Sequence, residues 1–233
     1  MSDDLNEFLT TRGPLPGRPL MGLTVLVVED SRFACEAMRL LCLRSGARIR
    51  RADCLRSARR HLQSYRPTIV IVDLGLPDGS GTDLIAEMAR MSPKVPVVLA
   101  ISGDSGLADT AMAAGADGFL AKPIESLAKF QATVLASLPS CGARPVGVGA
   151  IGDIVEPDPI ALRDDLTHVA RLLDAMPNPE ALDYIANFLA GIATSTRDRP
   201  LADAARNLAR DHGCGVSQIS DLVQIRLAAG AAF

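Results

Sequence analysis

The sequence predicts an α/β fold, a five-stranded doubly wound parallel sheet followed by a small all-α domain. Three observations carry that prediction. Ile69, Val70, Ile71 and Val72 are apolar and β-branched without alternation, which suits a central parallel strand covered by helices on both faces. Similar strand-like runs alternate with stretches of helical spacing over 23–138. An apolar content of 48% with 3% aromatics and no Trp supplies an aliphatic core to a chain of 233 residues.

The elements follow in order. Residues 1–22 are an acidic, polar lead-in that ends in the Pro/Gly cluster "RGPLPGRPLMG". "LTVLVVED" (23–30) is a strand ending in acids. "SRFACEAMRLLCLRSG" (31–46) is a helix with Ser31 placed to cap it and Gly46 to stop it. "ARIRRA" is a weak edge strand, and "DCLRSARRHLQSYR" a helix capped by Asp53. "TIVIVD" is the third strand, ending at Asp73. The following "LGLPDGSG" holds Pro77 and three glycines, which exclude regular structure and shape a loop. A helix over 81–91 leads to the fourth strand, "VPVVLAIS". "GLADTAMAAG" is a short helix, "DGFLAKP" a short fifth strand, and "SLAKFQATVLASL" a closing helix.

Right-handed crossovers place all strand ends on one edge, where open α/β folds bind ligands. Glu29 and Asp30 end the first strand, Asp73 the third, Ser102 the fourth and Lys122 the fifth. Lys122 is one of only three lysines in the chain. Three clustered carboxylates repel one another unless a cation sits among them, and oxygen-only ligands with room for water suit Mg²⁺. Asp73 would then stay ionised and act as a nucleophile, with Lys122 and the metal neutralising a phosphoryl group and Ser102 donating to it.

On "VVEDS", "IVDLGLPDGSG", "AISGD" and "FLAKP", residues 23–138 resemble the receiver domain of two-component response regulators. The resemblance implies a flavodoxin-like sheet of order 2-1-3-4-5. It implies that Asp73 accepts a phosphoryl group from a phosphohistidine on a sensor histidine kinase or a histidine phosphotransfer protein. It implies Mg²⁺ held by Asp30, Asp73 and the backbone carbonyl of Gly75, with Glu29 helping directly or through water. Ser102 would be the switch hydroxyl, Lys122 the phosphate-binding cation and Phe119 the aromatic switch, and Pro123 would follow a cis peptide bond. Ser102 stands where Thr is more frequent and Phe119 where Tyr is usual, so the aromatic would work without a phenolic hydrogen bond.

The five cysteines form no CxxC pair, the acidic, polar start is not expected to act as a signal peptide, and no apolar run approaches the length of a membrane span. A soluble, cytoplasmic protein is expected, without turnover of an external substrate. An aspartyl-nucleophile phosphatase is disfavoured because Gly75 stands where the second Asp of a DxD pair would serve as general acid. "GVGAIG" (147–152) fits GxGxxG literally but has no strand before it, so the Pro/Gly-rich stretch 139–158 reads as a linker.

Helices are expected near 159–175, 179–194, 200–212 and 217–229, forming an output domain over 159–233. From 141 to 233 there are eight Arg, no Lys and twelve acidic residues. That balance favours a protein-interaction or self-association module and makes DNA an unlikely partner. Two other outputs are weighed. One is a transcriptional regulator with a helix-turn-helix near 200–229, on the spacing of Ala209, Gly213, Ile219 and Leu222. The other is a degenerate histidine-phosphotransfer bundle, with Arg206 where the His belongs and His168 as the candidate acceptor.

Overall fold

The computed structural model of the chain describes residues 17–139, 155 and 158–229, without the side chains of 212–214. Residues 1–16 of the lead-in and the "GVGAIG" stretch lie outside the described residues.

Five strands, β1 (Thr24–Val28), β2 (Arg48–Ala52), β3 (Ile69–Asp73), β4 (Val97–Ser102) and β5 (Gly118–Ala121), form one parallel sheet in the order β2-β1-β3-β4-β5. Between and after them run α1 (Arg32–Arg44), α2 (Leu55–Ser64), α3 (Gly81–Ala89), α4 (Ala108–Ala114) and α5 (Leu127–Ser137). The unbroken apolar run of β3 is explained by its two faces. Ile69 and Ile71 enter a core with Met38, Leu41 and Phe130, while Val70 and Val72 enter another with Leu84, Ile85 and Met88.

Two local expectations are corrected. The loop after Asp73 is not wholly irregular, because Gly75–Leu76 and Gly79–Ser80 pair as a two-residue antiparallel hairpin. Gly79, at φ +143, supplies a backbone conformation that side-chain-bearing residues avoid. The cap of α2 is not Asp53. Cys54 is the N-cap residue, its Sγ accepting from the Ser57 amide at 3.4 Å, and the Asp78 carboxylate accepts from the amides of Leu55 (2.7 Å) and Arg56 (3.0 Å). The loop after β3 is thereby tied to the start of α2.

The C-terminal region is helical: α6 (Pro159–Asp174), α7 (Pro179–Thr196), α8 (Arg199–Arg210) and α9 (His212–Ala228). Asp158, Asn178 and Asp198 cap the first three, each followed within two residues by Pro, whose missing amide hydrogen costs nothing in a first turn. α9 starts five residues before the expected 217, and α8 and α9 are joined through Asp211 alone. Ile219 is buried in the helical core and Leu222 packs on it.

These helices share their core with the sheet domain. Phe33 of α1 is buried among Leu162, Leu166, Ile185 and Leu189, and α6 packs along α1. Buried Asp165 of α6 caps α1, its carboxylate accepting from the Ser31 hydroxyl (2.8 Å) and the amides of Arg32 (2.9 Å) and Phe33 (3.0 Å). The positive end of a helix favours a carboxylate there. Burial nevertheless raises the Asp165 pKa against the lowering effect of those hydrogen bonds.

Removing the shared aromatic should loosen this docking before it harms the sheet. Phe33→Ala is expected to cost about 3 kcal/mol, the low end for burying a Phe. Hydrogen exchange should quicken first at the Arg32 and Phe33 amides and along α6, with β1 and β3 still protected.

Candidate phosphoacceptor site

Every side chain expected at the sheet edge is found there. Glu29 and Asp30 follow β1, Asp73 closes β3, Ser102 closes β4 and Lys122 follows β5. Carboxylate oxygens of Glu29, Asp30 and Asp73 lie within 4.8 Å of one another. The Lys122 ammonium meets Glu29 Oε2 at 2.7 Å and Asp73 Oδ1 at 3.3 Å. Ser102 Oγ accepts from the Asp104 amide at 3.1 Å. The peptide before Pro123 is cis. Gly81 lies directly against the backbone carbonyl of Asp73, where a Cβ would collide, so the start of α3 packs tightly behind the carboxylate.

The electrostatics are those of a site short of positive charge. Burial, followed by the Asp73 charge, pushes Glu29 up to about 8 despite Lys122. Burial also pushes Asp30 up to about 6, opposed by a hydrogen bond from Tyr184. Burial alone would lower the Lys122 pKa, but Asp73 and Glu29 outweigh it and raise it. Buried Glu29 Oε2 meets the ammonium yet, among the described residues, accepts no well-aligned hydrogen bond. Three carboxylates, one carrying such an oxygen, are a hard oxygen-only donor set that fits a divalent cation of the Mg²⁺ type.

The remaining candidates are placed as follows. Phe119 is partly buried on β5 and packs against the core of the α2/α3 face. His168 is exposed, edge-on to Phe188 at 6.2 Å, and stands outside the carboxylate cluster. The helical region is chiefly seated away from the face of α4, β5 and α5. It packs on α1 and over the strand ends, touching the last-helix side through an Arg197–Glu125 ion pair of 2.6 Å.

Sequence reasoning missed Tyr184 and Asp165. The Tyr184 hydroxyl donates to Asp30 Oδ2 at 2.7 Å across 154 residues of sequence. Burial and the Asp30 carboxylate raise the Tyr184 pKa, so the hydroxyl keeps its proton. Nothing local marks Tyr184. Asp165 did carry a signal, a carboxylate beside the apolar stripe of Leu162, Leu166 and Val169.

Residues 25–134 match the response regulator receiver domain, and this part of the chain is such a domain. Among curated proteins, the chain is 29% identical over 143 residues to the KDP operon transcriptional regulatory protein KdpE of Escherichia coli, covering 61% of this chain and 59% of that protein. It is 34% identical over 115 residues to the virulence transcriptional regulatory protein PhoP of Salmonella typhimurium, covering 47% and 51%. The chain thus spans between half and three fifths of these relatives. Similar solved structures include the chemotaxis response regulator CheY4 of Vibrio cholerae (22% identity, 50% of this chain, 98% of that chain, TM-score 0.45). Another is a CheY-like receiver domain from Methylobacillus flagellatus (24%, 49%, 98%, 0.46). Among the described residues, no helix is long and apolar enough to cross a membrane.

Lys122→Met should leave Glu29 and Asp73 buried without their counter-charge. A loss of about 3–5 kcal/mol is expected, as for other broken buried pairs. Thermal unfolding should show part of that loss recovered by millimolar Mg²⁺.

Proposed function

We propose that the chain is a response regulator in which Asp73 accepts a phosphoryl group from a phosphohistidine, on a sensor histidine kinase or a phosphotransfer protein, in a Mg²⁺-dependent step. The observation that carries this reading is the cluster of Glu29, Asp30 and Asp73 facing the Lys122 ammonium at one sheet edge. An Asp73 oxygen forms a bond to phosphorus as the donor's P–N bond breaks. The electron pair leaves with the imidazole. Lys122, 3.3 Å from Asp73, neutralises charge on the transferred group. Ser102 turns its hydroxyl toward a phosphoryl oxygen. Bound Mg²⁺, held by Glu29, Asp30, Asp73 and the Gly75 carbonyl, would offset the remaining negative charge. Gly75 stands two residues after Asp73, where a second Asp would act as leaving-group acid, and the Asp78 carboxylate of the same loop is taken up by the Leu55 and Arg56 amides, which supports a phosphoacceptor over a phosphatase.

The output is read as protein interaction or self-association through the helical region, in the cytoplasm. DNA binding is the second reading. The relatives' names favour it, since both are transcriptional regulatory proteins, and the expectation against DNA finds no support among them. The helices speak the other way. Arg226, the only basic residue of "SQISDLVQIRLAAG", forms a two-pronged pair with Asp198 at 2.8 and 3.2 Å.

With Mg²⁺ and acetyl phosphate, the full chain should gain one acid-labile phosphoryl group, located at Asp73 by intact mass and peptide mapping. Undiminished labelling of Asp73→Ala would overturn the assignment. Asp30→Ala should lose the Mg²⁺ dependence.

A further inference from the structure

Helix α7 crosses the phosphoacceptor edge from strand to strand. Tyr184 holds Asp30 after β1. Further along, α7 packs against the Gly75–Leu76 hairpin arm after β3. Gly191 and Thr194 lie against Gly103 after β4, where a Cβ on Gly103 would stand 3.7 Å from Thr194 Oγ1 and 3.8 Å from Gly191 Cα. Arg197, which ends the helix, pairs with Glu125 after β5. The dimensions agree. Two strand spacings from β1 to β4 are about 9.6 Å. Seven helical residues from Tyr184 to Gly191 rise about 10.5 Å. The opposite face of α7, with Ile185, Leu189 and Ile192, is buried in the helical core, so the crossing helix is anchored. Beneath it Asp73 and Ser102 are each only 8% exposed.

A second feature lies beside the crossing. A cavity of about 1080 Å³ opens between the sheet domain and α6–α7, with Asp30 and Tyr184 in a wall that carries seven carboxylates and three arginines. The Asp30 carboxylate on that wall has an oxygen within 4.8 Å of one on Asp73. A small donor, its charge offset by a bound divalent cation, therefore has room beside the acceptor while α7 stays in place. A phosphohistidine mounted on a protein cannot. Its phosphorus must come within about 3–3.5 Å of an Asp73 oxygen, and a helix about 10–12 Å across with its side chains occupies the approach.

We propose that α7 is a bar that selects the class of phosphodonor reaching Asp73. The docked chain takes phosphoryl groups from small acyl phosphates and is closed to protein-borne phosphohistidine until the Tyr184–Asp30 contact and the Asp165 clamp on α1 release. The proposal rests on the reading of Asp73 as phosphoacceptor. With acetyl phosphate, the Asp73 oxygen bonds to phosphorus, the P–O bond to the acetyl group breaks and its electron pair leaves with acetate. Protein donors then act on an undocked population, and their observed rate falls with that fraction.

The test locks the bar in place. Gly103→Cys with Thr194→Cys puts two thiols across the crossing in the full chain, and intact mass follows their oxidation and reduction. The donors are acetyl phosphate and a radiolabelled histidine phosphotransfer protein selected for its transfer to the reduced variant. In the oxidised form, acetyl phosphate should label Asp73 within about twofold of the reduced rate, while transfer from the protein should fall at least tenfold and return on reduction. Equal protein transfer in both forms would overturn the bar. Loss of both donors on oxidation would overturn the small-donor path, and failure of the disulfide to form would overturn the docked crossing. Absence of acetyl phosphate labelling in the reduced form would instead strike the phosphoacceptor reading, and this proposal with it.

Discussion

Three carboxylates crowd one edge of the sheet, and their mutual repulsion is the constraint that the surrounding structure answers. Glu29 and Asp30 are both pushed upward, by burial first and then by neighbouring charge. A buried anionic cluster costs several kcal/mol per ion unless charge and hydrogen bonds compensate. Lys122 supplies one positive charge, the Ser31 amide and the Tyr184 hydroxyl donate to Asp30, and tight packing at Gly81 fixes Asp73. The remaining deficit of positive charge is what a divalent cation of the Mg²⁺ type would offset.

The second level of organisation is the seat of the helical region. A Pro/Gly-rich connection suggests a tethered module, yet α6 and α7 complete a core that begins with Phe33. Asp165 is the polar counterpart of that apolar contact. It gives up hydration to receive three donors at the start of α1, and hydrogen bonds to a charged group contribute about 1.5–3 kcal/mol each before that desolvation is counted. The carboxylate cluster and the helical region therefore meet at two neighbouring residues, Asp30 and Ser31. Any ligand with different affinity for docked and undocked chains shifts the balance between them.

The sheet was legible because its periodicities are strong. Each face of β3 needs apolar contacts, so the run is continuous, and strand ends in a parallel sheet must converge. That placed Glu29, Asp30, Asp73, Ser102 and Lys122 without knowledge of any contact. The loop after β3 was harder, since a hairpin of two residues per strand leaves no period to detect. Asp53 looked like a helix cap by position, and the role passed to Cys54 and, across 23 residues, to Asp78. Tyr184 was illegible for the same reason on a larger scale, because a single hydroxyl reaching another domain leaves no spacing in its own helix.

The central claim is that the carboxylate cluster is a cation-dependent acceptor site, and calorimetric titration of the full chain with Mg²⁺ tests it most directly. One saturable site is expected, weakened at least tenfold in both Asp30→Asn and Asp73→Asn. Heats that do not saturate, or that persist unchanged in both variants, would contradict it.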